Sequence, residues 1–242
     1  MLLFSTDIDG TIYDGPESAE AFAEFWLSKP EAVLVYNTGR SVDDTRQLID
    51  STPLPLPRFI TGGVGTEIFD CQTGERLSAW KTELSSGWDF AKIDSLVGRY
   101  ADDIERQPEE CQNDFKCSWF WNNRSQEDIA ALAARLIEAG FNAQVVYSSS
   151  RDLDVIPSVA NKGNAITWLA ARLGIPLEEI VVAGDSGNDS SMFQLEGARG
   201  IIPANAEDAL RHAPKKTLIF ESTGRCSAGI IEGINYFTTT KQ

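Results

Sequence analysis

The feature that most constrains the fold of this chain is a short apolar run that ends in two carboxylates. Apolar residues 2–4 lead directly into Asp7-Ile8-Asp9-Gly10-Thr11. This pattern predicts a buried strand that opens at its carboxyl end, the edge at which open α/β sheets bind ligands. Because alternate strand residues share one side, we expect Asp7 and Asp9 to face the same crevice at about 6–7 Å. Two carboxylates at this spacing need a cation or a proton with them, unless they only form an acidic turn.

The rest of the chain alternates apolar runs with helical patterns, which is typical of an α/β fold. Further strands are predicted at residues 32–36, 58–61, 180–183, 200–202 and 217–219. Between about residues 79 and 158, strands and helices mix without this alternation, which indicates a small α+β module. We therefore predict a Rossmann-like core domain with a parallel sheet, residues 1–79 and 159–242, and a smaller inserted domain, residues 80–158. The crevice between them is the expected place for a ligand.

Composition excludes several classes of partner. The formal net charge is −15, from 36 acidic and 21 basic residues, which argues against binding to nucleic acid or to an anionic membrane surface. No apolar run has the length of a membrane span and no signal peptide is recognised, so we expect a cytoplasmic protein. The four cysteines lack Cys-x-x-Cys spacing and are expected to be free thiols. The oligomeric state stays open, with a monomer as the expectation.

Polar residues gather at three predicted strand ends and at one predicted helix start. They are Asp7 and Asp9; Thr38, Gly39 and Arg40; Asp185, Asn188 and Asp189; and Lys162. The four aspartates could build an all-oxygen site, which suits Mg²⁺. Mg²⁺ beside a lysine and a hydroxyl group is suited to phosphoryl transfer, which depends mainly on charge neutralisation and positioning. A carboxylate nucleophile that forms an aspartyl-phosphate is a known solution to this chemistry.

A phosphate group would need hydrogen-bond donors in so acidic a chain. Thr38 and the backbone N–H groups near Gly10, Thr11 and Gly39 are candidates for holding phosphate oxygens. Thr38 could instead cap the helix that follows it. Lys162 would supply a positive charge that is otherwise scarce.

Four motifs, in order along the chain, carry a family resemblance. Asp7-Ile8-Asp9-Gly10-Thr11, Thr38-Gly39-Arg40, Lys162 and Gly184-Asp185-Ser186-Gly187-Asn188-Asp189 resemble the four motifs of the haloacid dehalogenase-like (HAD) phosphatases. The insertion lies between the second motif and Lys162, and in this it resembles a C2-type cap domain. Residues 37–41, 62–68, 147–154 and 161–165 are similar to segments of the sucrose-phosphate and mannosylfructose-phosphate phosphatases.

The resemblance implies a Mg²⁺-dependent phosphatase that hydrolyses a phosphorylated disaccharide through an aspartyl-phosphate intermediate. Asp7 would attack phosphorus. Asp9 would protonate the leaving sugar oxygen and then activate water, which requires burial and neighbouring negative charge to keep it partly protonated. Mg²⁺ would be held by Asp7, the Asp9 carbonyl and Asp185, with Asp189 behind them. The partner is thus a small-molecule sugar phosphate.

Candidate substrate contacts follow partly from the resemblance and partly from the polar residues expected near the cleft. Thr38 and Lys162 would bind phosphate, with Gly10, Thr11, Gly39 and Asn188 beside them. Expected contacts to the sugar are polar residues of the segments that should face the cleft: Arg40, Lys116, Ser149, Arg151 and Asn161.

Several alternatives remain open. Arg40 could be a surface ion pair, and residues 62–65 could be only a turn that needs positive φ. Trp119 and Trp121 could pack in a core rather than stack on a sugar. At the level of the whole protein, a phosphohexomutase with this core and cap, or a non-catalytic sugar-phosphate-sensing domain, is the alternative. A sensor would be expected to lose a catalytic carboxylate, and both Asp7 and Asp9 are present.

Overall fold

The computed structural model describes residues 3–148 and 150–239. The chain divides into two compact units. The first runs to Arg76 and resumes at Lys162, and the second is the inserted segment Leu77–Asn161. The predicted boundaries, after residues 79 and 158, each lie three residues from these (79 − 76 and 161 − 158). Within the described residues, no helix is long and apolar enough to cross a membrane.

Strands and helices alternate through most of the described chain. The strands are β1 (Leu3–Thr6), β2 (Val33–Asn37), β3 (Phe59–Gly62), β4 (Glu67–Asp70), β5 (Glu75–Arg76), β6 (Glu105–Arg106), β7 (Cys117–Phe120), β8 (Ala143–Ser148), β9 (Asp152–Pro157), β10 (Ile180–Ala183), β11 (Arg199–Ile202) and β12 (Leu218–Glu221). The α-helices are α1 (Pro16–Trp26), α2 (Val42–Ser51), α3 (Ser78–Leu84), α4 (Phe90–Val97), α5 (Gln126–Glu138), α6 (Lys162–Leu173), α7 (Asp208–His212) and α8 (Cys226–Thr239).

The first unit is built on an eight-stranded sheet with the order β12-β11-β10-β1-β2-β3-β4-β5. The six strands from β12 to β3 are parallel, and β4 and β5 add an antiparallel edge. The chain extends the sheet to one side of β1 before the insertion and to the other side after it. The boundary between β1 and β10 is therefore a topological switch point, where α/β sheets bind ligands.

Apolar residues of the central strands and of α1 and α8 form the core of the first unit. Phe4, Leu34, Tyr36, Ile60 and Val181 are at most 2% exposed in this cluster. Phe4 also packs its ring against Phe22 and Trp26 of α1, at centroid distances of 6.3 and 5.7 Å. Strands buried on both faces explain why their sequences read as continuous apolar runs. The packing fixes the strand ends at which the polar motifs begin.

The second unit has a four-stranded antiparallel sheet with the order β6-β7-β9-β8. Helices α4 and α5 pack with one face of it, and Trp119 and Trp121 are buried in this second core. Helix α5 begins with a capping box between Ser125 and Asp128. Its end is followed by Gly140 at φ +86°, a left-handed conformation that commonly ends helices.

The predicted fold class is confirmed: a parallel α/β sheet with a smaller α+β unit inserted. All four cysteines are free thiols, also as predicted. Neither α3 nor β6 was predicted. Strand β6 is only two residues, both charged, and so has no apolar pattern to reveal it.

Candidate active site

Two neighbouring strands bring the first and last motifs together. Strand β1 ends at Thr6 and β10 ends at Ala183, and these two residues are partners in the parallel register. The Asp7 N–H donates to the Ala183 carbonyl at 3.0 Å, which continues the ladder one residue further. Asp7 and Asp185 therefore emerge side by side at the switch point of the sheet.

Three carboxylates converge there. One carboxylate oxygen from each of Asp7, Asp185 and Asp189 lies within 4.8 Å of the others. The ammonium of Lys162, at the start of α6, donates to Asp7 Oδ1 at 2.8 Å and to Asp189 Oδ1 at 2.6 Å. The Lys162 side chain is fully buried, so the pairs are shielded from solvent. The structure thus brings together four residues that are separated by up to 182 positions (189 − 7).

The charges of this cluster are unbalanced. Burial raises the pKa of Asp7 to about 7, Lys162 opposes the rise, and the charge of Asp189 adds to it. Burial, together with the charge of Asp189, raises the pKa of Asp185 to about 6. Burial alone would lower the pKa of Lys162, but Asp189 and Asp7 outweigh it and hold that pKa above its usual value. One cation among three carboxylates leaves excess negative charge, which a divalent cation would neutralise.

Two glycines leave the space in which these carboxylates sit. A Cβ on Gly10 would lie 2.2 Å from Asp185 Oδ2, and Gly10 also has φ +74°. A Cβ on Gly184 would lie 2.4 Å from the Asp189 Cγ. Asp189 Oδ2 accepts the N–H groups of Asp185 and Ser186, both at 3.0 Å. With Lys162 on its other oxygen, both carboxylate oxygens of Asp189 accept hydrogen bonds.

Asp9 lies in surroundings different from those of Asp7. Its side chain is half exposed, so the predicted burial is wrong. The Asp9 carboxylate accepts two hydrogen bonds from the Arg40 guanidinium, at 2.6 and 2.8 Å. Arg40 also donates to Asp44 at 2.7 Å. The hydrogen bonds to Asp9 hold the pKa of the Arg40 guanidinium above its usual value. Because β1 ends at Thr6, the alternation that was expected to put Asp7 and Asp9 on one side does not reach them.

The second motif forms a loop supported by the turn after β3. Thr38 is buried, and its Oγ accepts the Arg40 N–H at 3.2 Å. The Gly63 N–H donates to the Arg40 carbonyl at 2.7 Å, and the Val64 N–H donates to the Thr38 carbonyl at 3.1 Å. Gly63, Val64 and Gly65 all have positive φ. The helix cap is Ser41, which accepts the Asp44 N–H, so capping α2 is not the role of Thr38.

The predicted phosphate contacts have mixed outcomes. Gly39 and Asn188 lie close together, since a Cβ on Gly39 would be 3.9 Å from Asn188 Nδ2. The N–H groups of Gly10 and Thr11, in contrast, donate to the Tyr13 and Ile8 carbonyls at 2.9 and 3.1 Å. These two amides are therefore occupied within the turn, which corrects the expectation that they hold phosphate. Thr11 contacts the carboxylate cluster through its hydroxyl group instead, which donates to Asp185 Oδ1 at 3.1 Å.

Asn205 contacts the first motif but lies outside all four motifs. The Asn205 side chain donates to the Gly10 carbonyl at 2.7 Å and accepts the Cys226 N–H at 2.7 Å. It lies in the loop after β11, and the Glu207 N–H of the same loop donates to the Asp185 carbonyl. The only signal in the sequence is an asparagine after a strand, which is typical of any turn.

The structure shows which residues surround the side chains of the inserted unit that are predicted to contact the sugar. Lys116 is buried and lies 3.2 Å from Asp154, whose carboxylate also accepts the Ser118 hydroxyl. Arg151 is exposed, pairs with Asp152 at 3.1 Å and lies over the ring of Phe120. Asn161 is half buried directly before α6. Ser149 lies outside the described residues. Contact of these residues with a sugar stays a prediction.

The fold is shared with solved structures of known class. A haloacid dehalogenase-like hydrolase from Bacteroides thetaiotaomicron is 18% identical, with a TM-score of 0.64 over 98% of this chain and 99% of that chain. The sucrose-phosphatase from Synechocystis sp., solved in complex with sucrose and phosphate, is 29% identical, with a TM-score of 0.89 over 98% of both chains. The protein is a phosphatase of the HAD superfamily, that is, a phosphoric monoester hydrolase.

Sequence comparison identifies the family of this chain within the HAD superfamily. The mannosylfructose-phosphate phosphatase of Agrobacterium fabrum is 38% identical over 239 residues, covering 97% of this chain and 96% of that protein. Sucrose-phosphatase 1 of Nicotiana tabacum is 30% identical over 98% of this chain, which spans 59% of the tobacco protein. The profile of the sucrose-6F-phosphate phosphohydrolase family matches residues 1–238. The chain therefore belongs to the sucrose-6F-phosphate phosphohydrolase family. Membership in a hydrolase family does not support the mutase or the non-catalytic sensor.

Proposed function

We propose that the protein is a Mg²⁺-dependent phosphatase that hydrolyses a phosphorylated disaccharide of the sucrose 6-phosphate or mannosylfructose-phosphate type. The observation that carries the proposal is the convergence of Asp7, Asp185 and Asp189 around the buried ammonium of Lys162 at the switch point of the sheet. The names of its relatives, which are phosphatases of these two sugar phosphates, support the substrate class.

The residues present fit a magnesium ion. Their donors are oxygen atoms, the ligands that Mg²⁺ prefers, and the excess negative charge on the cluster favours a divalent cation. Asp7 and Asp185 would hold it with the Asp9 carbonyl, while Asp189 orients the Asp185 backbone. When bound, the metal ion would neutralise charge on the phosphate oxygens.

The proposed reaction has two displacements at phosphorus. Lys162 bonds Asp7 Oδ1, so we assign the attack on phosphorus to Asp7 Oδ2. The bond from phosphorus to the sugar oxygen breaks as Asp9 gives that oxygen its proton, which leaves an aspartyl-phosphate and the free sugar. Asp9 then takes a proton from water, the water oxygen bonds phosphorus, and the acyl phosphate bond breaks to release inorganic phosphate and restore Asp7. Asp9 must leave Arg40 to carry a proton, and its half-exposed position allows this exchange.

The inserted unit, proposed as a C2-type cap, would select the sugar. Its polar residues Lys116, Arg151 and Asn161, with Arg40 of the first unit, are the proposed sugar contacts. Thr38, Gly39, Asn188 and Lys162 would bind the phosphate group.

A substrate panel tests the proposal. Sucrose 6-phosphate, mannosylfructose phosphate, trehalose 6-phosphate and hexose monophosphates are each incubated with the enzyme, and inorganic phosphate is measured with Mg²⁺ and with excess chelator. We expect phosphate release from a disaccharide phosphate that is lost with the chelator and restored by Mg²⁺. Release only from hexose monophosphates, or full activity in the chelator, would contradict the proposal.

The nucleophile is tested by substitution. Asp7→Asn keeps the shape of the side chain and removes the charge needed for attack, so turnover should fall at least about 10³-fold. Asp50→Asn on the exposed face of α2 is the matched control and should keep full activity. Borohydride trapping of a phosphorylated aspartate in the wild type, absent in Asp7→Asn, would identify the intermediate. Substantial turnover by Asp7→Asn would remove Asp7 from the nucleophile role.

A further inference from the structure

We propose that Asn37 is a positioning residue for Lys162. The inference rests on the proposed function, in which the Lys162 ammonium binds phosphate beside Asp7. Asn37 is the last residue of β2 and is fully buried. Its side-chain Nδ2 donates to the Lys162 carbonyl at 2.9 Å, although the two residues are 125 positions apart. The bond joins the sheet directly to the residue whose side chain reaches the carboxylate cluster.

The surroundings of the Asn37 amide indicate that the bond to the Lys162 carbonyl is the reason for an asparagine at this position. Nδ2 also lies 3.2 Å from Ser5 Oγ and 3.4 Å from Met192 Sδ. Its Oδ1, in contrast, is buried and has no hydrogen-bond partner among the residues that the structure describes. A buried carbonyl without a partner is unfavourable, so an apolar side chain would be more stable at this position if Asn37 only filled space. We infer that the hydrogen bond from Nδ2 to the Lys162 carbonyl offsets the unfavourable burial of Oδ1.

Lys162 needs such a tie because of its place in the chain. It is the first residue of the first unit after the inserted segment and the first residue of α6. A lysine side chain is long and flexible, so the position of its ammonium depends on a fixed backbone. The next residue is held as well: the Gly163 N–H donates to Ser191 Oγ at 3.0 Å, and a Cβ there would lie 2.3 Å from the Ser191 carbonyl oxygen. Asn37 and Ser191 thus hold the first turn of α6 from two sides.

The test compares two variants of Asn37 with a control from the same buried cluster. Asn37→Ala removes the donor, and Asn37→Asp replaces the donor with an acceptor of the same shape. Ser5→Ala removes another contact of the same amide without touching Lys162. Since displacements of about 1 Å can cost about 10²-fold in rate, we expect kcat to fall at least about tenfold in both Asn37 variants, and less than twofold in Ser5→Ala. KM should change less than kcat, and thermal melts check that each variant folds.

Two further measurements separate positioning from a general loss of structure. In lysine-selective ¹⁵N spectra, we expect the protected Nζ signal of Lys162, assigned through Lys162→Met, to shift or broaden in Asn37→Ala but not in Ser5→Ala. In a double-mutant cycle, Asn37→Ala should have no further effect on kcat once Lys162 is Met.

Several outcomes would overturn the inference. They are equal losses in Asn37→Ala and Ser5→Ala, an unchanged Lys162 signal, or a full additional loss from Asn37→Ala in the Lys162→Met background. Full activity of Lys162→Met alone would instead contradict the role of Lys162 in the proposed function, and the inference would fail with it. The single variant of Lys162 therefore distinguishes the two failures.

Discussion

Asp7 and Asp9 are separated by one residue, yet their electrostatic surroundings are opposite. Asp7 is buried, bonded to Lys162, and has its pKa raised by desolvation. Asp9 is half exposed and paired with Arg40. A nucleophile has to stay in one place beside the metal ligands, whereas an acid–base group has to reach first the sugar oxygen and then water. The two environments suit the two proposed roles.

At Gly10, a single Cβ should disturb the proposed metal site. Gly10→Ala would place its Cβ 2.2 Å from Asp185 Oδ2. Gly74 has the same φ of +74°, but among the described residues other than its two chain neighbours no atom lies within 4 Å of an added Cβ. Both alanine variants should lose about 1–2 kcal/mol of unfolding free energy from the left-handed backbone. Only Gly10→Ala should also raise the Mg²⁺ concentration for half-maximal activity, by about tenfold or more. Equal Mg²⁺ requirements in the two variants would show that the contact with Asp185 does not matter.

Residues in the motifs were easier to predict than the residues that support them. Asp7 and Asp185 follow from the rule that the carboxyl ends of parallel strands meet at one edge, although their roles stay predictions. Lys162 was selected as a positive charge at a predicted helix start, and its role stays a prediction as well. Asn205 and Asn37 make their key hydrogen bonds across 195 and 125 positions of sequence. No local pattern encodes a contact over such separations, so only the folded chain reveals these two residues.

Among the elements, those with a clear apolar period were predicted within a few residues, because burial on a sheet determines that period. Helix α3 and strand β6 were missed. Helix α3 is seven residues long and has no side-chain cap, so neither its period nor its start is marked in the sequence. Residues 62–65 were recognised as a possible turn with positive φ, but the support that this turn gives to the second motif depends on two backbone bonds to Thr38 and Arg40.

Helix α2 offers a test of what its cap contributes. Ser41 accepts the Asp44 N–H at the start of the helix, so Ser41→Ala should cost about 1 kcal/mol of unfolding free energy. Ser51, at the other end, is exposed and donates to the Leu48 carbonyl, and Ser51→Ala should stay within about 0.5 kcal/mol of the wild type. Denaturant unfolding measures both changes. Equal effects in the two variants would mean that the cap does not stabilise α2.

At the scale of the whole molecule, the carboxylate cluster adds local repulsion to a chain with a net charge of −15. The folded protein holds protons on Asp7 and Asp185 up to about pH 7 and 6, whereas the unfolded chain releases them near the ordinary aspartate pKa of 3.8. The folded state therefore binds more protons between about pH 4 and 7, and this contribution to stability is lost as pH rises through that window. A cation that replaces those protons should restore it.

Magnesium should therefore stabilise the protein more at high pH than at low pH. At a Mg²⁺ concentration of 100 times Kd, binding contributes about 2.7 kcal/mol, which corresponds to a rise in Tm of roughly 5–10 °C for a chain of this size. We expect that rise at pH 8 and a much smaller one at pH 5, where protons compete for Asp7 and Asp185. Scanning calorimetry at both pH values measures the shift, with Asp185→Asn as the variant that should lose it. The same rise at pH 5 and pH 8, or an undiminished rise in Asp185→Asn, would show that Mg²⁺ binds outside this cluster.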